Sequence, residues 1–182
     1  MKVLSLLLIL ILMPNLALAA GTVFESETES QLTNTVSPPS GLLRVILDSE
    51  TTRAEADLFR ECLRENGLSR NEAERLFSVA AVPLESPKES LYFVRPTLEP
   101  YCMAFYGAHT FRYWLVVSHI SNNRTKHRII YEGNSDSIAI LSSSSKGYPD
   151  IEVGTSRVVE FVTSLWKYNG KRYVRTSSRT ER

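Results

Sequence analysis

Apolar residues first occur as one continuous run near the N-terminus. Residues 3–13 are almost entirely apolar, they follow Lys2, and Ala17 and Ala19 then place small side chains where a signal peptidase cleaves. This order predicts a secretory signal peptide over residues 1–19 and a mature chain that works outside the cytoplasm. Because the apolar run is too short to cross a bilayer, we expect no membrane span after cleavage.

The next segment shows no hydrophobic period. Residues 20–41 are rich in Ser, Thr and Glu and contain the pair Pro38-Pro39. Such a composition is typical of chain that does not fold by itself. We therefore predict a flexible tether over residues 20–41, followed by a single domain over residues 42–182.

A short apolar run and then a helical period begin this domain. The run at residues 42–47 predicts a first strand. A helix is predicted after it, because Ala54, Leu58 and Cys62 recur at the spacing of one helical face. Gly67 predicts the end of that helix, since glycine readily adopts the left-handed conformation found there.

A second helix is predicted from a capping box. Ser69 and Glu72 have the spacing at which a hydroxyl and a carboxylate satisfy free amides at a helix start. Apolar residues then continue at a helical period as far as Ala80. The two helices together predict a helical hairpin in the N-terminal part of the domain.

From Ser90 onward the pattern is extended rather than helical. Runs rich in β-branched and aromatic residues alternate with turn sequences up to the C-terminus. The last of these turns, Asn169-Gly170, is a strong signal for a two-residue hairpin. The predicted fold class is therefore α+β, with the N-terminal helical hairpin packed on an antiparallel β meander of about five to seven strands.

Composition narrows the classes of partner. The chain has 182 residues with 21 basic and 20 acidic side chains, and loss of Lys2 with the signal peptide makes the two numbers equal. A neutral mature chain has no general attraction for nucleic acid, so we predict no nucleic-acid partner.

The two cysteines, Cys62 and Cys102, predict one disulfide, because a secreted chain folds in an oxidising compartment. The alternative is a nucleophilic Cys102 assisted by His109, which requires a free thiolate. The oxidising compartment favours the disulfide over the thiolate.

Few residues indicate catalysis or metal binding. The three histidines lie outside the usual metal-binding motifs, and serine-hydrolase and phosphate-binding motifs are missing from the sequence. We predict no metal and no cofactor. His109 lies in an aromatic setting beside Tyr106, as either a core histidine or a pocket base, and Asp150 lies in a turn-like sequence. These two residues are the candidates for a catalytic role.

Two stretches near the C-terminus carry a resemblance to known proteins. The first, residues 106–115, begins Tyr-Gly-Ala-His-Thr-Phe, and the second joins Gly-Tyr-Pro-Asp-Ile at 147–151 to residues 165–173. In these stretches the chain resembles small secreted or periplasmic bacterial proteins that are uncharacterised. The resemblance implies a bacterial envelope protein with a compact sheet, and it brings no active site with it.

Three functions follow from these observations. The first is an exported, periplasmic or secreted, non-enzymatic protein that binds another protein or an envelope component, such as an inhibitor or immunity-type protein. Protein interfaces favour Tyr, Trp and Arg, and the predicted binding residues are Arg112, Tyr113, Arg172 and Tyr173. The second is a small cell-envelope enzyme that uses His109 with Asp150 or a tyrosine. The third is a structural envelope protein.

Overall fold

The polypeptide folds as three layers, in the order helices, four-stranded sheet and five-stranded sheet. The computed structural model describes residues 21–121 and 124–181. The predicted signal peptide, residues 1–19, lies outside the described residues.

Nine strands occur within these ranges, and they form two antiparallel sheets. The strands are β1 (Thr22–Glu27), β2 (Phe77–Val82), β3 (Glu89–Pro96), β4 (Phe111–Ser121), β5 (Arg124–Ser135), β6 (Ser137–Ser145), β7 (Tyr148–Arg157), β8 (Glu160–Tyr168) and β9 (Tyr173–Glu181). One sheet has the order β2-β3-β4-β5 and the other the order β1-β6-β7-β8-β9. The chain passes from the first sheet to the second at Asp136, between β5 and β6.

Short helices cover the outer face of the four-stranded sheet. They are α1 (Leu42–Leu47), α2 (Glu50–Ala54) and α3 (Ala56–Glu65), with 3₁₀ helices at Arg70–Leu76 and Met103–Phe105. Ser49 caps α2 by accepting a hydrogen bond from the Thr52 amide at 3.2 Å. The capping box predicted at Ser69 and Glu72 is present, and Gly67 has the expected positive φ of 62°.

The predicted helical hairpin on a single β meander is wrong. Most of the described chain is strand, in two packed sheets, and the helices are short. The capping box starts only a 3₁₀ helix, because Phe77, Ser78 and Val79 then alternate in burial as a strand does. Residues 42–47 form a helix instead of a strand, since Leu42 and Ile46 lie one helical turn apart on the buried face.

Two hydrophobic cores flank β4. Phe111, Tyr113 and Leu115 belong to the core between the two sheets, and Trp114 and Val116 to the core under the helices. All five side chains are fully buried. The continuous apolar run at residues 113–117 of β4 therefore marks a part of the strand that has no solvent-exposed face.

The N-terminal segment takes part in the sheet structure. Thr22–Glu27, inside the predicted tether, forms β1 and pairs antiparallel with β6. Further along, the Val36 amide donates to the Val79 carbonyl of β2 at 2.8 Å. The sequence pattern did not predict β1, because the strands that this polar segment contacts, β6 and β2, lie far away in the sequence.

A buried arginine holds the end of β1 in place. The Arg95 side chain is 1% exposed, and its guanidinium carbon lies 4.1 Å from the centre of the Phe111 ring. It donates to the Ser26 hydroxyl at 2.8 Å and to the backbone carbonyls of Glu27, Thr28 and Ser30. None of these acceptors is a carboxylate, so backbone dipoles solvate the buried charge.

The predicted disulfide between Cys62 and Cys102 is confirmed. Its Cα atoms are 5.1 Å apart, and both residues are buried in the core under the helices. The bond joins α3 to the segment that leads into the 3₁₀ helix at Met103–Phe105. It therefore closes a loop with a sequence separation of 40 residues.

Substitution of Cys62 by serine should lower the melting temperature of the oxidised protein. Loss of the loop constraint removes about 3–4 kcal/mol on the chain-entropy estimate, which corresponds to a fall of about 10 °C for a chain of this size. Thermal unfolding with and without a reductant measures the effect. The difference from wild type should nearly vanish under reducing conditions, and an equal difference in both would contradict the disulfide's contribution.

Substitution of Arg95 by methionine should weaken the attachment of residues 26–30. The carbonyls of that segment would lose their buried donor, at a cost of about 2–4 kcal/mol in the free energy of unfolding. Hydrogen exchange should quicken at the amides of residues 26–30. The exposed Arg70→Met is the control, and unchanged exchange in Arg95→Met would contradict the role of this side chain.

Candidate functional site

A groove of about 550 Å³ lies between the edge of β5 and the β8–β9 hairpin. It is lined by residues 129–132 of β5 and by Trp166 and residues 172–175 across from them. We call this feature the β5 groove. It brings together the end of the four-stranded sheet and the C-terminal hairpin of the five-stranded sheet.

A β-bulge shapes the β5 side of the groove. Leu115 of β4 pairs with Tyr131, whereas the next residue, Val116, pairs with Ile129. Ile130 is therefore an extra residue in β5, and both Ile130 and Tyr131 are buried in the core between the sheets. The bulge thus brings two successive side chains of β5 towards the same core.

Glycine at position 133 allows the aromatic rings beside the groove to approach β5. A Cβ atom at this position would lie 2.8 Å from the Tyr113 hydroxyl and 2.9 Å from the Tyr131 ring. Real Cβ atoms do not make contacts this close, so any larger residue would displace one of the two rings. The position of the Tyr131 ring in the groove therefore depends on Gly133.

Three aromatic side chains form the floor of the groove. The Tyr131 ring packs edge-on against Trp166, with 5.1 Å between centroids, and against Tyr173, with 5.7 Å. The Tyr173 hydroxyl donates to the Pro149 carbonyl at 2.6 Å, which fixes that ring. The Trp166 Nε1 group is buried without an acceptor in the described part of the chain. The floor is a packed aromatic cluster in which Trp166 is the most exposed ring and also carries the buried donor.

The rim of the groove is cationic. Arg172 and Arg175 are exposed, and neither forms an ion pair with a residue of the ranges 21–121 and 124–181. Arg128 donates to the Lys171 carbonyl at 2.8 Å and so closes one end of the groove. The carboxylate on the opposite side, Glu132, already accepts a hydrogen bond from a threonine of α2.

Of the predicted binding residues, Arg172 and Tyr173 lie in the β5 groove. Arg172 is on its rim, whereas Tyr173 is 4% exposed and belongs to its floor. Arg112 lies beside the groove, with Nε 3.9 Å from the Glu132 carboxylate. Tyr113 is fully buried in the core, where its hydroxyl accepts a hydrogen bond from Ser135 at 2.9 Å. It therefore has no surface to offer a partner.

The structure does not bring the two catalytic candidates together. His109 is exposed just before β4, beside Asp136 and Ser156, and its carbonyl accepts a hydrogen bond from a threonine hydroxyl. Asp150 is 2% exposed in β7, with Ser143 donating at 2.9 Å and the Lys167 ammonium 3.6 Å away. The two side chains share neither a groove nor a hydrogen-bond partner.

Sequence reasoning missed Tyr131 and Trp166, the centre of the floor. Trp166 and Tyr168 alternate in β8 just before the Asn169-Gly170 turn, so the hairpin pattern indicated half of the site. Tyr131 is in a different sheet, and the local sequence carries no signal that it faces Trp166. Only the packing of one sheet on the other brings these two rings together.

Searches of family models, curated proteins and solved structures gave no match to this chain. Among the described residues, no helix has the length and apolar character needed to cross a bilayer. No group of three or more His, Cys, Asp or Glu side chains in residues 21–121 and 124–181 is arranged to hold a metal ion. The β5 groove is therefore the feature from which a function can be proposed.

The buried tyrosines should make the protein unstable at alkaline pH. Burial raises the pKa of Tyr131 to about 12 and also raises the pKa of Tyr113 and Tyr173. Unfolded tyrosines lose their protons near pH 10. The unfolded state thus binds fewer protons than the folded state above that pH, and the free energy of unfolding falls as the pH rises further.

Denaturant unfolding at a series of pH values measures this dependence. Tyr131→Phe should reduce the fall in stability above about pH 10, because it removes one of the raised pKa values. The half-exposed Tyr101 supplies the control, since Tyr101→Phe removes a phenolic hydroxyl outside the two buried cores. An equal slope in wild type and Tyr131→Phe would contradict the burial of the groove floor.

Proposed function

We propose that this protein is an exported, non-enzymatic binding protein of the periplasm or the extracellular space, and that it binds another protein through the β5 groove. The observation that carries the proposal is the combination of a rigid aromatic floor with an arginine rim that lacks partners in the described ranges. The disulfide supports the extracytoplasmic location, since such bonds persist in oxidising compartments.

The residue types of the groove are those that contribute most to protein interfaces. Trp, Tyr and Arg are enriched among the residues whose truncation costs most binding energy, and they lie in well-packed central pockets. Tyr131, Tyr173 and Trp166 already hold fixed positions, so a partner would not have to order them. A preformed site of this kind favours binding.

The two other hypotheses have less support from the structure. An enzyme that uses His109 needs a second group within hydrogen-bond reach of the reacting atom. Among the described residues no hydrogen bond or ion pair joins the His109 ring to a carboxylate or a tyrosine, and Asp150 lies elsewhere, bonded to Ser143. A structural protein predicts no concave site with a surface aromatic cluster. The β5 groove is concave, and it exposes part of Trp166 together with Arg172 and Arg175, which favours the binding hypothesis.

Capture of partners from the native compartment tests the proposal. The oxidised mature chain, immobilised as bait, should retain a stoichiometric protein partner. The double variant Arg172→Glu/Arg175→Glu should lose it, because the reversed charges on the rim would no longer complement the surface of the partner. Both side chains are exposed, so this variant is expected to fold normally.

The matched control is Arg60→Glu/Arg64→Glu, which makes the same charge change on the exposed face of α3. It should retain the partner. Equal retention by both double variants, or no stoichiometric partner for the wild-type chain, would count against the β5 groove as the binding site.

A further inference from the structure

We infer that the β5 groove binds an extended acidic peptide segment of the partner, and that this segment adds as a strand to the free edge of β5. This inference rests on the proposed function and specifies the ligand and its mode of binding. It is carried by three features of the groove: an unpaired strand edge, an aromatic floor, and a rim with a local excess of positive charge.

The strand edge is the first feature. β5 is the last strand of its sheet, and its backbone at residues 129–132 hydrogen-bonds to no described strand except β4. An exposed strand edge presents unpaired amide and carbonyl groups that can accept another extended chain. The opposite edge of the same sheet differs, since the Val36 amide bonds to β2 there.

The side chains along β5 leave only part of this edge open. Residues 124–128 include three cationic side chains, which typically protect a strand edge from pairing. Residues 129–132 are Ile-Ile-Tyr-Glu and lack that protection. The open part of the edge coincides with the residues that line the groove. The groove thus provides both the unpaired backbone and the space for a short added strand.

The aromatic floor supplies contacts for the side chains of such a strand. Alternate residues of an added strand point to one face, and on the side of the inter-sheet core that face is occupied by Tyr131, Trp166 and Tyr173. Tyr131 and Tyr173 are 8% and 4% exposed, so the half-buried Trp166, with Ile129 and Val174, would pack against apolar residues of the ligand. The main chain would contribute hydrogen bonds, and the floor would select the side chains.

The charges of the groove favour an acidic ligand. Arg172 and Arg175 lie on the rim, and Arg128 closes one end, against the carboxylate of Glu132. That carboxylate is already bonded to a threonine and lies near Arg112. A carboxylate on the ligand would therefore meet unpaired guanidinium groups, which bind it with charge-assisted hydrogen bonds.

Three fluorescein-labelled peptides of equal length test this inference by polarisation. The first alternates glutamate with valine, the second alternates lysine with valine, and the third is the glutamate peptide with every backbone amide N-methylated, so that neither strand direction can pair. The glutamate peptide should bind the wild-type protein and slow hydrogen exchange at the amides of residues 129–132. Replacing the glutamates with lysines should weaken binding at least about tenfold, and so should N-methylation of the peptide backbone.

Protein variants complete the experiment. Arg172→Glu/Arg175→Glu should weaken binding of the glutamate peptide about tenfold or more, whereas Arg60→Glu/Arg64→Glu should leave it unchanged. Equal binding of the methylated and unmethylated peptides would overturn strand addition and leave the proposed function standing. No binding of the glutamate peptide at about millimolar concentration would overturn the ligand class.

A second copy of this chain is the competing occupant of the edge. Sedimentation of the protein without peptide tests it, because pairing of two β5 edges would give a dimer that Arg172→Glu/Arg175→Glu alters. A dimer whose dissociation exposes the amides of residues 129–132 would overturn the inference. A monomer in which the glutamate peptide slows hydrogen exchange at residues 129–132 agrees with it.

Discussion

The burial of β4 on both faces is the constraint on which the rest of the structure depends. Phe111, Tyr113 and Leu115 pack between the sheets, while Trp114 and Val116 pack under the helices. A shift of one residue in the pairing would exchange these two sets of side chains, so the register of the neighbouring strands is fixed. The irregularity in the pairing is in β5, at the sheet edge, where one extra residue can be accommodated. The β5 groove is located at that irregularity.

A second long-range constraint comes from Arg95. Its side chain extends from β3 in the four-stranded sheet to the end of β1 in the five-stranded sheet, and it bonds there to backbone carbonyls. A guanidinium has five donors in a fixed geometry, so it can satisfy several carbonyls that converge on one point. A polar segment that could not form a core of its own is ordered in this way.

The sequence identified the features that depend on local chemistry. The capping box at Ser69, the positive φ at Gly67 and the disulfide between Cys62 and Cys102 were all predicted from residue type and spacing, and the structure contains them. The layer architecture depends on distant partners and was not predictable in this way. Residues 42–47 could form a strand or a helix by their pattern, and only the core beneath them selects the helix.

The same distinction applies to the candidate site. Arg172, Tyr173 and Tyr113 were proposed as binding residues from the residue types that interfaces favour. Arg172 is exposed, whereas both tyrosines are buried, because a strand with buried faces has the composition of an aromatic surface patch. Tyr131 enters the site through the docking of the two sheets, for which the sequence contains no local signal. Composition therefore indicated the chemistry of the site but not which aromatic residues are accessible.

The short length of the open edge also bears on the stability of the protein against aggregation. A long unpaired edge with apolar side chains promotes pairing between copies. In β5 the cations of residues 124–128 protect one side of the groove, and the chain turns into the other sheet at Asp136 on the other side. The β8–β9 hairpin faces the remaining residues across the groove. The edge is therefore accessible to a short extended segment, but it offers little room for edge-to-edge pairing of whole sheets.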